Sequence, residues 1–507
     1  MNIQEAKEQI ERAVKIYLMK DSYGNYRIPL ERQRPVFLLG APGIGKTAIM
    51  EQIARELDLA LVSYSMTHHT RQSALGLPFI RHRNYQGTEF DVSEYTMSEI
   101  IASVYEVMEQ TGKKEGILFL DEINCVSETL APSMLQFLQY KTFGMHQIPK
   151  GWVVATAGNP PQFNRSVREF DVVTLDRLKV LEVEADYPAW RSYAINKGVH
   201  GAILTYLDIK KNDFYVIENT VDGKTYVTAR GWEDLSEILS LYEENGFPVD
   251  EILISQYIRN KRISRDFASY YDLYRKYKQD YRVREILSGK DDKEICDRAK
   301  QAGFDERISL IGLLLDAIQS RIRKNVREED TLRRLLTILK GVKEELGKAV
   351  RWDEQTAVGI LQNTWESLEQ TLAQGEEAHS ISATVRTEYQ KAIEVLQEDA
   401  KAVRMAGTYE PESAFALIKE RFESQVGEMK REGEQISGEL SNLFRFVEKV
   451  FGQGNEMLIL VTDLTVNGNS AKFIGRRGSK EYEKYNKKFQ IYERQQEIAD
   501  EVEKLQL

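Results

Sequence analysis

Pro35-Val36-Phe37-Leu38-Leu39-Gly40-Ala41-Pro42-Gly43-Ile44-Gly45-Lys46-Thr47 is the stretch that decides the fold of the first half of this chain. An apolar run leads directly into the pattern G-x-x-x-x-G-K-[ST], and a helical pattern follows it. Glycines in such a loop let the backbone turn tightly and direct its N–H groups at phosphate oxygens. The stretch therefore predicts a strand, a phosphate-binding loop and a helix, in that order.

The residues of this loop have distinct expected roles. We expect the Lys46 ammonium to reach the β- and γ-phosphates of a bound nucleotide and the Thr47 hydroxyl to bind Mg²⁺. The start of the helix adds unpaired N–H donors and the positive end of the helix dipole. The remaining predicted nucleotide-binding residues of the loop are Gly40, Ala41, Pro42, Gly43, Ile44 and Gly45.

A second candidate site follows the apolar run Gly116-Ile117-Leu118-Phe119-Leu120, which ends in Asp121 and Glu122. In a doubly wound sheet, ligands bind at the carboxyl ends of the strands, so this end is expected to face the phosphate loop. Asp121 is predicted to support Mg²⁺, and Glu122 to act as the general base that polarises a water molecule. The alternative is a strand end that exposes two acids to solvent. An acid directly after the magnesium-binding acid favours hydrolysis over transfer to a substrate.

Apolar, β-type runs alternate with helical patterns from Val36 to Arg230. Four of the five runs are almost continuously apolar, as expected for parallel strands buried on both faces. The alternation predicts an α/β fold with a layered parallel sheet. The five runs are residues 35–39, 60–64, 116–120, 152–156 and 179–183.

The pattern changes twice after the last of these runs. From Pro188 to Phe247 it predicts a small, mostly helical unit with a short hairpin at Asp222-Gly223. Of 11 prolines only Pro411 lies beyond Pro248, so long helices are expected there. We therefore predict an α/β nucleotide-binding domain over 1–186, a helical lid over 187–247 and a mainly helical C-terminal region over 248–507.

Two apolar sets with heptad-like spacing lie in the C-terminal region. Each set spans only about two heptads, fewer than a sustained coiled coil needs. Two interpretations stay open: a compact helical hairpin or bundle, and a projecting coiled coil. The sets are Ile308, Ile311, Leu315, Ile318 and Ile322, and then Leu332, Leu335, Leu339, Val342 and Leu346.

Composition excludes several classes of protein. The formal charge is −10, which argues weakly against a general nucleic-acid binder. Cys125 and Cys296 are the only cysteines, so a disulfide framework and a cysteine-ligated zinc site are excluded by count. No apolar run approaches the roughly 20 residues that cross a bilayer, and the first residues lack a signal-peptide pattern. We expect a cytoplasmic protein without a membrane partner.

Three further segments follow the two nucleotide motifs in order: Ala155-Thr156-Ala157-Gly158-Asn159-Pro160-Pro161, Thr174-Leu175-Asp176-Arg177-Leu178 and Thr228-Ala229-Arg230-Gly231-Trp232. This ordered series resembles the AAA+ ATPases, and most closely the MoxR family, over about residues 1–245. The resemblance implies a P-loop sheet sandwich with a small helical lid, and ATP as the nucleotide.

The resemblance also implies roles for three polar residues. Asn159 matches the sensor-1 residue that orients the attacking water, although a strand-end turn is its simpler interpretation. Arg177 matches the arginine finger that reaches the nucleotide of a neighbouring subunit, with a surface ion pair as its alternative. The family usually has phenylalanine where Leu178 follows Arg177 here, so the match is imperfect. Arg165 and Arg168 lie close in sequence and are rival fingers. Arg230 matches the sensor-2 arginine, which the lid contributes to the nucleotide of its own subunit. The alternative is that Arg230 is a charge capping a lid helix.

MoxR-type ATPases form rings, commonly hexamers, and couple hydrolysis to remodelling of a protein partner, often one with a von Willebrand factor A domain. The resemblance therefore implies a homo-oligomeric chaperone-like ATPase. In the same clade a β-hairpin is inserted near the position of Leu77-Pro78-Phe79-Ile80, although a solvated loop with a few packed aromatic residues is the simpler interpretation of this stretch. Two alternatives stay open: a nucleic-acid-dependent AAA+ motor, against which the acidic charge argues, and a nucleotide-switched scaffold.

Overall fold

The computed structural model describes residues 1–68, 74, 76–143, 145–163, 167–220, 223–290, 292–349, 351, 353–377 and 383–490. These residues form two compact units. The first unit comprises residues 1–189, 228–230 and 373–377, and the second comprises 190–227, 231–372 and 383–490. The division into domain, lid and C-terminal region at 186/187 and 247/248 stays a prediction.

A five-stranded parallel sheet forms the centre of the first unit and confirms the predicted α/β fold. The five strands are β1 (Val36–Gly40), β2 (Ala60–Ser65), β5 (Gly116–Asp121), β8 (Trp152–Gly158) and β9 (Lys179–Val183). They have the order β2-β5-β8-β1-β9 in the sheet. Every residue of β8, and every residue of β5 before Asp121, is buried, which explains their continuous apolar runs.

Helices cover this sheet and begin where the sequence offers caps. In α1 (Ile3–Tyr17) the Asn2 side chain accepts a hydrogen bond from the Glu5 backbone N–H, and the Glu5 carboxylate accepts one from the Asn2 backbone N–H. The apolar core beneath the helices includes Phe37, Leu118 and Trp152. The other helices of this unit are α2 (Lys46–Glu56), α3 (Glu99–Thr111), α4 (Ala131–Tyr140) and α5 (Val172–Leu175).

Two antiparallel hairpins also belong to the first unit. β3 (Pro78–Tyr85) pairs with β4 (Thr88–Tyr95) along its whole length, at the position where the resemblance implies an inserted hairpin. β6 (Thr142–Phe143) pairs with β7 (His146–Gln147). The Phe143 side chain is buried, whereas Met145 at the turn of this second hairpin is 69% exposed.

The second unit begins within α6 (Tyr187–Lys197), and α7 (Gly201–Ile209) follows. β10 (Val216–Thr220) and β11 (Gly223–Val227) form an antiparallel pair, which confirms the predicted hairpin, although Val221 and Asp222 of its turn lie outside the described residues. α8 (Ala229–Asn245) completes the segment that we predicted to be a lid.

Long helices make up the rest of the second unit, as the scarcity of proline predicted. The longest, α13, contains both heptad-like apolar sets, and all ten of their residues are buried. The helices are α9 (Glu251–Tyr257), α10 (Lys261–Asp280), α11 (Val283–Leu287), α12 (Lys293–Gln301), α13 (Phe304–Lys348), α14 (Glu354–Glu377), α15 (Ala383–Ala406), α16 (Pro411–Phe451), α17 (Asn455–Val466) and α18 (Gly468–Arg477).

The second half of α13 packs into a bundle with α14, α15 and α16. Its buried side chains share one apolar core with residues of all three other helices. Members of this core are Leu335, Leu339, Leu361, Leu396 and Ile418. The interpretation as a compact helical bundle is therefore confirmed.

Polar contacts join α6 and α7 to the later helices of the second unit. The Arg191 guanidinium donates to the carboxylates of Asp208 and Asp463, with its shortest contacts 2.7 and 2.6 Å long. The Tyr270 hydroxyl lies 2.7 Å from the Thr205 hydroxyl and 2.8 Å from that of Ser309. Within the described part of the chain, no helix combines the length and the apolar character that crossing a bilayer requires.

Candidate active site

The candidate site lies where the carboxyl ends of the central strands meet. In the order β2-β5-β8-β1-β9 the phosphate-loop strand β1 is the neighbour of β8, and β8 is the neighbour of β5. Parallel strands end at the same edge of a sheet, so the residues that follow these strands come together. Lys46, Thr47, Asp121 and Asn159 make direct contacts there.

The phosphate loop needs its glycines for two different reasons. Gly43 and Gly45 have φ values of 73° and 93°, in the left-handed region that side chains rarely adopt. Gly40 is required for space, because a Cβ atom there would lie 2.6 Å from the carbonyl oxygen of Val183. Ile44 is buried, and its Cδ1 atom would lie 2.8 Å from the same Cβ atom at position 40. The loop backbone, including Ala41 and Pro42, is thus held in a tight turn before α2.

Lys46 is buried and its ammonium faces three oxygen acceptors. Its Nζ atom lies 2.7 Å from the Gly40 carbonyl oxygen, 2.8 Å from that of Ala41 and 2.9 Å from Oδ1 of Asn159. Burial is the main cause that lowers the pKa of Lys46 to about 8; the charge of Arg230 acts in the same direction, and the charges of Asp121 and Glu122 oppose it. An anion that binds beside such a buried lysine strongly stabilises the charged form of its side chain.

Thr47 and Asp121 form the second contact across the strand ends. The Thr47 hydroxyl donates to Oδ2 of Asp121 over 2.9 Å, and Oδ1 of Asp121 accepts from the backbone N–H of Glu122 over 2.8 Å. Hydroxyl and carboxylate oxygens are the ligands that Mg²⁺ prefers. These two side chains thus bring the right donor types to one point.

Glu122 has an unusual backbone, with a φ of 56°, which is strained for a non-glycine residue. Its side chain is partly exposed, and its Oε2 atom accepts a hydrogen bond from the Ser65 hydroxyl over 3.1 Å. Ser65 ends β2, the neighbour of β5. We did not single out Ser65 from the sequence; a polar residue at the end of a predicted strand was the available signal.

Asn124 is the other residue that the sequence analysis missed. It lies in a short helical turn, Ile123–Cys125, and its Nδ2 atom donates to the backbone carbonyl of Asn159 over 2.8 Å. The Asn159 side chain in turn accepts from Lys46. No feature of the sequence alone distinguishes Asn124 from any other polar residue after a strand.

The described candidate arginines take no part in the hydrogen bonds given above for this site. Arg177 is exposed and donates to the carbonyl oxygen of Val173, in the short helix α5 that precedes it, over 3.4 Å. Arg168 is exposed and forms an ion pair with Glu128, whereas Arg165 lies outside the described residues. Arg230 is exposed at the start of α8, and its charge contributes to the low pKa of Lys46. The roles of all four arginines stay predictions.

The residues present fit a nucleoside triphosphate with Mg²⁺. A buried ammonium, a tight glycine turn that opens a helix, and a hydroxyl–carboxylate pair are the complementary groups for phosphates and their metal ion. Among the described residues, no cluster of three or more His, Cys, Asp or Glu side chains forms a separate metal site.

Comparison with known families agrees with this geometry. Residues 35–177 match the family model of the AAA domain, dynein-related subfamily. The match runs from β1 through both carboxylates to Arg177 and covers less than a third of the chain. It supports an AAA+ ATPase, for which nucleotide binding and hydrolysis are expected. No curated protein matches this chain.

Proposed function

We propose that this protein is a Mg²⁺-dependent ATPase of the MoxR type that assembles into a ring, commonly a hexamer, and remodels a protein partner. The observation that carries the proposal is the contact network in which Lys46 touches Asn159 and Thr47 touches Asp121. This network joins three strand ends in the arrangement that hydrolysis of a phosphoanhydride requires.

Binding of ATP begins with Lys46. Its ammonium exchanges the carbonyl oxygens of Gly40 and Ala41 for oxygens of the β- and γ-phosphates. The backbone N–H groups of the loop and of the first turn of α2 complete the cradle. Thr47 and Asp121 would hold Mg²⁺, which would supply positive charge to offset the negative charge of the transition state.

Hydrolysis follows from the place of Glu122 beside this cradle. Its carboxylate takes a proton from a water molecule, whose oxygen then attacks the γ-phosphorus in line with the bridging oxygen. The bond from the γ-phosphorus to that bridging oxygen breaks, and ADP and phosphate are released. Ser65 positions the Glu122 carboxylate, and the Asn159 amide orients the water.

Two arginines complete the proposed site. Arg177 is exposed, so the Arg177 guanidinium of one subunit can reach the γ-phosphate of the nucleotide that the neighbouring subunit binds. Arg230 acts within its own subunit, where its charge is already felt by Lys46. Both arginines would neutralise charge that develops as the γ-phosphate leaves.

We assign recognition of the partner protein to the helices after residue 248. The candidate chemical residues lie between Gly40 and Arg230, which leaves the bundle of α13 to α16 free for recognition. A protein with a von Willebrand factor A domain is the partner that the MoxR resemblance suggests. The low cysteine count suits a cytoplasmic location.

Release of phosphate by the purified full chain tests the activity. With Mg²⁺ and ATP we expect turnover that stops in Lys46→Ala, since this change removes the cation that faces the phosphates. Lys141→Ala is the matched control, because Lys141 is also a buried lysine but donates to the carbonyl oxygen of Leu138. Equal turnover in wild type and Lys46→Ala contradicts the proposal.

Mixed assemblies test the ring and the role of Arg177. Neither Glu122→Gln nor Arg177→Ala alone should hydrolyse ATP well, because one lacks the base and the other lacks the finger. In an equal mixture, an Arg177→Ala subunit beside a Glu122→Gln neighbour has both groups, which restores about a quarter of the wild-type turnover per subunit. A mixture no more active than its two components contradicts a finger that acts between subunits.

A further inference from the structure

Asn124 connects two parts of the candidate site that no other contact described above joins. Its side-chain Nδ2 atom donates to the backbone carbonyl oxygen of Asn159. Its backbone carbonyl oxygen accepts from the backbone N–H of Arg168 over 2.9 Å. One residue, two positions after Glu122, is therefore bonded to the sensor-1 candidate and to the segment that leads to Arg177.

The second part of the segment from Arg168 to Arg177 is held by hydrogen bonds of its own. The backbone N–H of Thr174 donates to the Asp171 carboxylate, which caps α5, over 2.8 Å and to the Asp171 backbone carbonyl oxygen over 3.1 Å. The backbone carbonyl oxygen of Thr174 accepts from the backbone N–H of Arg177 over 3.1 Å. A shift at Asn124 can therefore pass from Arg168 along the chain and through these hydrogen bonds to Arg177.

The packing around the Asn124 carboxamide is tight. Asn124 is only 4% exposed, and a Cβ atom at Gly158 would lie 2.5 Å from its Oδ1 atom. The absence of a side chain at Gly158 therefore provides the space that the Asn124 side chain fills. Among the described residues, none donates to that Oδ1 atom, so the donor Nδ2 is the half of the carboxamide that is used.

We infer that Asn124 is a positioning residue that couples Asn159 in its own subunit to the Arg168–Arg177 segment, which acts in the next subunit. This inference rests on the proposed ATPase function. When a γ-phosphate binds, it changes the contact between Lys46 and the Asn159 side chain, and the Asn159 backbone shifts. Asn124 is hydrogen-bonded to that backbone and to Arg168, so it moves the segment that holds Arg177.

Steady-state turnover and nucleotide affinity of Asn124 variants test this role. Asn124→Ala is expected to lower kcat about tenfold, as the loss of one buried hydrogen bond predicts, with the Kd for ATP within about twofold of wild type. Asn124→Asp keeps the shape but replaces the donor by an acceptor. It should be at least as defective as alanine, whereas wild-type kcat in Asn124→Asp would show that only packing matters and overturn the inference.

Asn325 provides a matched structural control. It is a fully buried asparagine whose Nδ2 atom donates to the Met429 carbonyl oxygen over 2.9 Å, and among the described residues its Oδ1 atom has no donor either. Asn325→Ala should lower the melting temperature by as much as Asn124→Ala while kcat stays at the wild-type value. Equal loss of kcat in both variants reduces the effect to stability and overturns the inference.

A double-mutant cycle with Gly158 tests the geometry. Gly158→Ala should push the Asn124 carboxamide away and lower kcat about as much as Asn124→Ala does. Because both changes break the same contact, the variant that carries both should lose about tenfold rather than about a hundredfold. Multiplying effects would show that Gly158 and Asn124 act separately, against the inference.

A mixing experiment tests the coupling to the neighbouring subunit. Arg177→Ala subunits receive a finger from Glu122→Gln subunits, and the same mixture is then made with subunits that carry Glu122→Gln together with Asn124→Ala. The inference predicts lower turnover in the second mixture, because Asn124 holds the donated Arg177; equal turnover overturns it. If wild type or the first mixture shows no hydrolysis, the proposed function fails first, and the inference fails with it.

Discussion

The pKa of Lys46 makes ATP affinity depend on pH in a range where few other groups titrate. Only the protonated ammonium attracts phosphate, and in the free protein burial lowers its pKa to about 8. A bound triphosphate raises that pKa again, so binding above pH 8 requires uptake of a proton. The dissociation constant for ATP should therefore rise with pH.

The size of this effect follows from the same value. If Lys46 is fully charged in the complex, Kd stays nearly constant up to pH 7 and increases about thirtyfold by pH 9.5. Titration of the phosphates contributes little above pH 7, because the second pKa of a phosphate monoester is about 6. Burial and the charges of Glu122 and Asp121 raise the pKa of the Cys125 thiol, which moves its titration to higher pH than that of an ordinary cysteine.

Isothermal titration calorimetry with a non-hydrolysable ATP analogue measures both the affinity and the proton uptake. We expect about one proton per site at pH 9.5 and about 0.1 at pH 7. Lys46→Arg should abolish the pH dependence, because guanidinium stays charged throughout. Lys141→Met should leave it unchanged, although the pKa of Lys141 is also lowered to about 8 by burial. A flat affinity in wild type, or an equal slope in Lys46→Arg, refutes the reasoning.

Three further predictions concern single side chains. Arg177→Ala should lower kcat about a thousandfold in the assembled protein with Kd for ATP unchanged, and a normal kcat would transfer the finger role to another arginine. Asp463→Ala leaves the partly buried Arg191 with Asp208 alone and should cost about 3 kcal/mol in chemical denaturation, the low end for a broken buried pair because one partner remains; a change under about 0.5 kcal/mol would contradict this. Leu339→Ala should cost about 2–5 kcal/mol, and Leu336→Ala, at a 43% exposed position of the same helix, within about 0.5 kcal/mol; similar costs would contradict the bundle core.

The sheet and the nucleotide motifs were predictable because local sequence carries them. Parallel strands such as Leu118–Leu120 are buried on both faces, so their runs are continuously apolar. The phosphate loop requires positive φ at Gly43 and Gly45 and space at Gly40, and these needs leave a recognisable pattern. Each of these signals lies within a few residues.

Other features depend on contacts between distant residues and left no local signal. Ser65 meets Glu122 only because β2 is the neighbour of β5, and Asn124 meets Asn159 only because β8 lies on the other side of β5. Arg191 pairs with Asp463 across 272 residues of sequence. Periodicity cannot predict such contacts, since any exposed polar residue fits the same pattern.

The heptad-like sets on α13 illustrate an intermediate case. Their spacing predicted a helix with an apolar side, and the helix is there. The spacing left the partner open, because the same side can pack against one helix or against three. The buried side chains of α14, α15 and α16 decided the outcome.

Comparison of Glu122→Gln with wild type tests the central claim most directly. The change removes the carboxylate that takes the proton but keeps the size of the side chain, so ATP should bind with wild-type affinity while phosphate release falls below about a thousandth. Glu109→Gln, at an exposed position on α3, is the control and should keep full turnover. Continued hydrolysis by Glu122→Gln, or no hydrolysis by wild type with Mg²⁺ and ATP, contradicts this account.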